Sequence, residues 1–453
     1  MSAPAAPSAR PPGIWKLAVP TIIGNVIYAL AAMAQTRFVG GLGPQAVAAV
    51  GVSQRVFFAL QALFIAISVG ASALIARAWG AGDRREAAHV LTAALVLSSV
   101  LSLIVTCLTL VFAHGIAAIF GLDAATSVEA TRNVRWFAVF VTGLSSNIVM
   151  LSALRAVADV WIPLLFVIIV NVVMVGMLYV FIFGAWGAPK MNSAGAPFAA
   201  GLTYTIAGAV MLWVWKRQRL SIAFDASEWC QRERYARLLR IAYPAGIEQM
   251  VMQGGLFVFL ALIGHFYGTD AFAAYSVGFN LLNVAIVVGF GFSIAGSTLV
   301  GQHLGAGNFK AARRSGWRSL TFAASSMALL ALLPAFYAEE LARFFLGNEE
   351  RAVNYTVQFT YTMALMLPLL GVEFAIGGSL RGAGDTRFPL MATILGMLLA
   401  RIGLTLVFVH LGLPVVWAYS AMVVEYVLKA TLLILRFRSG RWEKALAGRL
   451  GRG

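Results

Sequence analysis

Charged residues are scarce in this sequence, and this scarcity indicates the broad class of protein. Only 11% of the residues are Asp, Glu, Lys or Arg, whereas 60% are hydrophobic. A water-soluble chain of 453 residues has no means of burying so much apolar surface. The sequence therefore predicts an integral membrane protein.

The motifs of common enzymes and ATP-driven pumps are also missing. The chain has no HExxH, GxSxG or CxxC motif and no Walker A loop, and its five histidines are scattered. Neither an enzyme nor a bound cofactor or metal is therefore expected. The two cysteines are Cys107, in an apolar run, and Cys230, in a basic loop, so no disulfide is expected.

Long apolar runs fill most of the chain, and each is long enough to cross about 30 Å of hydrocarbon as a helix. They lack the alternation of an outer-membrane strand. The predicted spans are 15–39, 46–76, 88–112, 132–153, 161–184, 195–215, 242–266, 272–302, 319–338, 353–379, 389–410 and 415–435. An even number of spans places both ends of the chain on the same side of the lipid bilayer.

The basic residues predict which side that is. Most of the 34 Lys and Arg fall in loops on the side of the N-terminus, above all in 216–241 and 436–453. Because cytoplasmic loops are enriched in Lys and Arg, both termini are predicted to be cytoplasmic. No aromatic platform is interleaved with the basic clusters, so nucleic acid is not an expected partner.

The chain contains an internal repeat. Leu154–Pro163 and Leu380–Pro389 both have the pattern L-R-x-x-x-D-x-x-x-P, and Gly80–Asp83 reappears as Gly305–Asn308. Six spans return the chain to the same side, so the halves are predicted to be related by an axis along the membrane normal.

The predicted fold is an all-α integral membrane protein with twelve transmembrane helices in two six-helix bundles related by a pseudo-two-fold axis along the membrane normal. The predicted divisions are a disordered tail at 1–13, a first bundle at 14–215, a basic cytoplasmic linker at 216–241, a second bundle at 242–435 and a basic cytoplasmic tail at 436–453.

On these motifs the chain resembles the multidrug and toxic compound extrusion (MATE) family. Leu380–Pro389 is similar to the family's signature between helices ten and eleven, and the stretches Ala76–Asp83 and Leu299–Asn308 resemble its loops after helices two and eight. The resemblance implies a bacterial inner-membrane antiporter that exports organic, often cationic or aromatic compounds in exchange for protons or sodium. A functional monomer within the lipid bilayer is expected.

Three carboxylates fall inside predicted spans, where a charged side chain costs roughly 2.5–3.5 kcal/mol at mid-span. They are Glu248, Glu373 and Glu425. The resemblance implies acids in helices seven and ten, so Glu373 and Glu248 are predicted to bind the coupling ion or substrate. Glu425 is expected to form an i,i+4 pair with Lys429.

Neutral side chains complete the predicted sites. Gln249 and Gln253 follow Glu248 and are predicted to belong to the same ion or substrate site. In the first half, Gln35 and Val175 stand where the resemblance implies acids, so coupling is expected in the second half. The cavity candidates are Gln35, Asn25, Asn147, Asn171, Asn280, Asn283 and Arg401.

The repeated motif also carries charged pairs. Arg155 and Asp159, and likewise Arg381 and Asp385, are spaced i,i+4 at cytoplasmic loop ends. They are interpreted as structural pairs or caps.

Two alternatives stay open. A flippase for a lipid-linked sugar or related amphipathic anion would need cations in the cavity, for which Arg55, Arg401 and Lys429 are available. A membrane receptor or enzyme without transport activity is the second alternative, although no catalytic motif supports it.

Overall fold

The computed structural model describes residues 13–347 and 349–445. Most of the predicted N-terminal tail and the last eight residues of the predicted C-terminal tail lie outside the described residues. Within the described ranges the regular elements are helices, and none is a strand.

The described part of the first half contains six apolar segments long enough to span a membrane, one of them broken. Their bounds are α1 Ile14–Gly40, α2 Pro44–Gly80, α3 Arg84–Ala118, α4 Ala124–Val139, α5 Val141–Ala156, α6 Trp161–Phe183 and α7 Gly195–Lys216. Helices α4 and α5 form the broken span, because they meet at Phe140 with a bend of 50°. The sequence predicted one uninterrupted helix there.

The described part of the second half also contains six spans when α8 is counted as two. Their helices are α8 Arg232–Gly305, α9 Phe309–Phe336, α10 Ala338–Leu346, α11 Glu350–Gly382, α12 Arg387–Ile394, α13 Leu404–His410 and α14 Val415–Arg438. Helix α10 is a short amphipathic segment, and α12 and α13 belong to one span, Arg387–His410.

Gly268 divides α8 into two spans. The 74 residues of α8 would measure about 111 Å as a straight helix, far more than a bilayer. Gly268 has φ 85° and ψ −175°, which interrupts the helix where the sequence predicted a loop. Gly43 between α1 and α2 also has positive φ, and the shift that aligns Gly80 with Gly305 aligns Gly43 with Gly268.

The repeated Gly-Ala-Gly-Asp/Asn loops stop one helix and start the next. The amide of Asp83 donates to Ala78 O and that of Asn308 to His303 O, both at 2.9 Å. This hydrogen bond closes a helix C-terminus, and the preceding glycine takes positive φ. The side chains of Asp83 and Asn308 then cap α3 and α9 by accepting from the amides of Glu86 and Ala311.

The other repeated motif forms the same turn. The amide of Asp159 donates to Leu154 O and that of Asp385 to Leu380 O. The residue before each aspartate, Ala158 or Gly384, is left-handed. The internal repeat is thus a repeat of helix-terminating turns.

The described chain divides into two compact units. One contains Ile23–Trp79 and Asp83–Ala242, and the other contains the described residues up to Ile22, Gly80–Gly82 and the described residues from Tyr243 onward. In the first unit α3 packs against α4 and α5, and α7 against α5 and α6. In the second unit α11 lies between α9 and α14.

Large apolar side chains cover the outside of many helices. Val111, Leu165, Leu329 and Leu365 are each more than half exposed. Continuous apolar surface on long helices is a lipid-facing surface. The protein is therefore a multi-pass membrane protein.

Candidate ion and substrate site

The three in-span carboxylates are buried in the second unit, and each is bound by a cation. We call Glu248, Arg381, Glu373, Lys429, Glu425 and Arg401 the second-half charge network. Its three carboxylates and three cations balance. A buried charge is tolerated when it is paired in this way.

Glu248 is held by Arg381. The guanidinium donates from Nη2 to Glu248 Oε1 at 2.5 Å and from Nε to Oε2 at 3.3 Å. The hydroxyl of Thr393 also donates to Oε1 at 3.3 Å. Both carboxylate oxygens therefore have donors, in the two-point geometry that arginine favours.

The Arg381 contact corrects the pairing predicted within the repeated motif. The partner of Arg381 is Glu248, and Asp385 instead accepts from Arg436 Nε at 2.7 Å. In the first copy, Asp159 accepts from the Ser221 hydroxyl at 2.5 Å and from the amide of Ile162 at 3.4 Å, which is the predicted cap at the start of α6. A side chain in a helix-terminating turn reaches neighbouring elements, so sequence spacing does not decide its partner.

Glu373, Lys429, Glu425 and Arg401 form a continuous chain of contacts. Lys429 Nζ lies 2.8 Å from Glu425 Oε1 and 3.3 Å from Glu373 Oε1. Arg401 Nε donates to Glu425 Oε2. The expected i,i+4 pair of Glu425 and Lys429 is present, and the same ammonium also holds Glu373.

The two middle residues are sealed from solvent. The side chains of Lys429 and Glu425 are 2% and 0% exposed, and that of Glu373 is 11% exposed. Glu373 Oε2 is buried and has no hydrogen-bond partner. Because an ionised carboxylate has about four acceptor sites, Glu373 retains capacity for a further donor or cation.

The span Arg387–His410 shapes the network through an irregular stretch. It winds as a π-helix over Leu395–Gly403, a feature often found at functional sites. Gly396 lies in this stretch, and a Cβ there would come within 2.8 Å of Lys429 Cγ. The missing side chain leaves the Lys429 stem room to pass.

Aromatic rings complete the surroundings of Arg401 and Lys429. The Arg401 guanidinium carbon lies 5.4 Å from the centre of the Phe259 ring and 5.7 Å from that of Tyr426. Lys429 Nζ lies 5.3 Å from the Tyr426 ring. Ring faces attract cations at these distances.

The glutamine and asparagine candidates of the second half lie apart from these contacts. Gln249 is half-buried, and Gln253, Asn280 and Asn283 are exposed on α8. Their role in substrate binding stays a prediction.

The first-half candidates are neutral and differ in their surroundings. Asn147 is buried, and its amide donates to the carbonyls of Gly143 and Tyr204 at 2.9 and 2.5 Å. Asn171 donates to Val167 O at 2.8 Å. The Asn147 amide therefore links α5 to α7, whereas the Asn171 amide bonds within α6. Gln35 and Asn25 are half-buried.

Comparison with known proteins decides the family. The sequence model of the MatE family matches residues 20–180 and 244–407. The chain belongs to the MatE family. The matched ranges are in both halves, as the internal repeat predicted.

Relatives of this MatE chain are transporters. A probable multidrug resistance protein NorM of Thermotoga maritima is 28% identical over 437 residues, which cover 95% of this chain and 92% of its own. The uncharacterized transporter YisQ of Bacillus subtilis is 24% identical over 446 residues, which cover 96% of each chain. This MatE protein is therefore a transporter and not an enzyme, as predicted.

Solved structures confirm the fold. A MOP superfamily transporter from Pyrococcus furiosus has a TM-score of 0.88 at 22% identity, over 95% of this chain and 96% of its own. The binding pocket of that transporter has a reverse polarity that suggests a different function. An outward-facing multidrug resistance MATE transporter has a TM-score of 0.87 at 22% identity over 96% of each chain. The predicted all-α fold of membrane-spanning helices is that of MATE transporters.

Sequence reasoning missed the contact between Lys429 and Glu373. It assigned Lys429 to Glu425 alone, because residues four apart share a helix face. The sequence did contain a signal for this contact. Once Lys429 is assigned to Glu425 alone, Glu373 is left as a buried charge without a compensating cation.

Proposed function

We propose that this MatE protein is a cation-coupled antiporter of the bacterial inner membrane. It exports organic, often cationic or aromatic compounds by alternating access, in exchange for protons or sodium, with both termini in the cytoplasm. The family and the NorM relative support multidrug export.

Glu373 carries the proposal for coupling. It is a buried in-span carboxylate with one oxygen unpartnered and the other on a single lysine. A carboxylate of this kind is able to exchange one cation for another, which antiport requires. Glu248 is the second proposed acid, and Gln249 and Gln253 are proposed to contact substrate beside it.

The first half lacks comparable acids. Gln35 and Val175 occupy the positions where the family resemblance implies carboxylates, and neither side chain binds a proton near neutral pH. The ion site is therefore proposed to lie in the second half alone.

The first test is export from reconstituted vesicles with ethidium as the fluorescent substrate. Proton and sodium gradients are imposed separately, and Glu373→Gln is compared with Glu340→Gln, which makes the same chemical change at an exposed position of α10. We expect one gradient to drive export, Glu373→Gln to abolish that dependence and Glu340→Gln to retain it.

Two results would contradict this proposal. Gradient-driven export that persists in Glu373→Gln would remove the ion site from Glu373. Export of no tested cation under either gradient would favour the flippase alternative, which lipid-linked sugar transport would then test.

A further inference from the structure

The position of Lys429 adds a component to the proposed ion site. Its ammonium lies between two carboxylates and is closer to Glu425, at 2.8 Å, than to Glu373, at 3.3 Å. The ammonium donates its hydrogen bond to Glu373 Oε1, the second oxygen of Glu425 is bound by Arg401, and the second oxygen of Glu373 is unpartnered. The two carboxylates that Lys429 contacts, Glu425 and Glu373, therefore differ in how fully their oxygens are bound.

We infer that Lys429 is a tethered cation that occupies the Glu373 site while no external cation is bound, and moves wholly to Glu425 when a monovalent cation binds Glu373. This inference rests on the proposed role of Glu373. It gives Lys429, which lies on a different helix from Glu373, the role of setting the affinity of the site.

The lysine is suited to such a movement. A primary ammonium on a four-carbon stem has three donors that reorient freely, unlike the planar guanidinium of arginine. Gly396 leaves space beside the stem, and Glu425 Oε1 already lies 2.8 Å from Lys429 Nζ as an ion pair. Lys429 therefore keeps an anionic partner when it leaves Glu373.

The charged groups around Lys429 determine the net charge of the site before and after an external cation binds. Arg381 follows Glu373 on α11 and is paired with Glu248 of α8, Arg401 comes from Arg387–His410, and Glu425 and Tyr426 share α14 with Lys429. The network is neutral before an external cation binds and carries one excess positive charge afterwards. A second cation is then repelled, so two external cations exclude one another at this site.

Removal of the ammonium should therefore strengthen external cation binding. In Lys429→Met the Glu373 carboxylate loses its compensating charge and has to take a proton or sodium ion from solution. We expect apparent affinity for the cation to rise roughly tenfold or more, within the usual range of coupling between competing ligands.

The experiment measures thermal unfolding of the purified full-length protein in detergent. One series varies sodium chloride against N-methyl-D-glucamine chloride at fixed ionic strength, and another varies pH without sodium. We expect Lys429→Met to gain more stability than the parent protein from sodium in the first series or from protons in the second, and the responding series identifies the ion. Lys429→Arg keeps the charge but not the freely reorienting ammonium, and it should not gain the stronger cation response of Lys429→Met.

The double variant Glu373→Gln/Lys429→Met is the matched control, because it removes both charges. It should fold and show no added cation dependence. The inference is overturned if Lys429→Met responds to cations as the parent does, if the double variant keeps the added response, or if Lys429→Met fails to fold in every salt and pH while the double variant folds. These readouts need no transport, so they are separate from the export test of Glu373.

Discussion

At the scale of residues, the two proposed coupling acids differ in what binds them. Glu248 has donors on both oxygens, and its guanidinium partner stays charged at any physiological pH. Glu373 shares one lysine with Glu425 and has a free oxygen. Exchange of cations is therefore easier at Glu373, and Glu248 is better suited to hold Arg381 in place.

The Glu248–Arg381 pair leads to a prediction on stability. Arg381→Met would leave Glu248 buried without its cation, and breaking a buried pair costs about 3–5 kcal/mol. We expect the lower end, because the Arg381 side chain is 21% exposed. Thermal unfolding of the purified variant measures the loss.

A second substitution distinguishes a charge effect from lost packing. Arg381→Met combined with Glu248→Gln removes the orphaned charge and should recover most of the stability. If the double variant is as unstable as Arg381→Met, the pair is not the source of the loss.

The sequence identified the charged residues that lie inside the spans, but it did not identify most of the residues that pair with them. In-span acids are costly, which identified Glu248, Glu373 and Glu425 directly. The partners Arg381 and Lys429 lie on other helices from Glu248 and Glu373. Only packing brings them together, and no spacing along the chain encodes it.

At the scale of elements, the basic linker is attached to the first unit. His89 of α3 is buried, with Nε2 3.0 Å from Asp225 Oδ2 and Nδ1 3.4 Å from Glu228 Oε2. Thr92 donates to Asp225 O at 2.8 Å, and Arg234 binds Glu86 at 2.8 Å. The linker predicted from composition is thus an ordered part of the first unit.

Asp225 makes this attachment sensitive to acid. Hydrogen bonds from the hydroxyl and amide of Ser227, together with His89, lower the pKa of Asp225 below its usual range. A carboxyl with a lowered folded pKa contributes stability above its unfolded pKa, near 3.8, and loses it as pH falls toward the folded value.

We therefore expect hydrogen exchange in 216–231 to be slow at neutral pH and to accelerate, relative to its intrinsic rate, below about pH 4. Asp225→Asn should raise exchange already at neutral pH and remove this acid dependence. Mass spectrometry of the protein in nanodiscs measures both, and an unchanged profile in Asp225→Asn would show that the carboxylate does not hold the linker.

Helix breaks illustrate a limit of sequence reasoning at this scale. Gly268 lay in a predicted loop, and its positive φ agrees with that. The bend at Phe140 and the π-helix at Leu395–Gly403 occur in apolar sequence without proline. Side-chain packing imposes such irregularities, so hydrophobic runs do not reveal them.

At the scale of the whole molecule, the two halves share turns but not charges. The shift that aligns Leu154 with Leu380 also aligns Asn147, Val175, Ala199 and Thr203 with Glu373, Arg401, Glu425 and Lys429. In the first copy the Thr203 hydroxyl donates to Ala199 O at 2.8 Å, where the second copy has the Lys429–Glu425 pair. The two halves therefore share their helix-terminating turns, but the aligned positions are neutral in the first half and charged in the second.

The proposed orientation is testable with a native cysteine. Cys230 is exposed in the linker, and Cys107 lies within the apolar helix α3. We expect a membrane-impermeant maleimide to label Cys230 in inside-out vesicles and not in intact spheroplasts. The experiment uses the Cys107→Ser variant, in which Cys230 is the one remaining cysteine. Labelling of Cys230 from outside would contradict the proposed topology.

The balance of charge in the second-half network has an electrical consequence. The work that a transmembrane voltage does on a group displaced as a unit depends on the net charge of the group, and is about 2.3 kcal/mol for one elementary charge moved across 100 mV. When no external cation is bound, the six charges of the network sum to zero, so displacement of the network as one unit carries no net charge. With one bound monovalent cation it carries a single positive charge, and the voltage then acts on the loaded network alone.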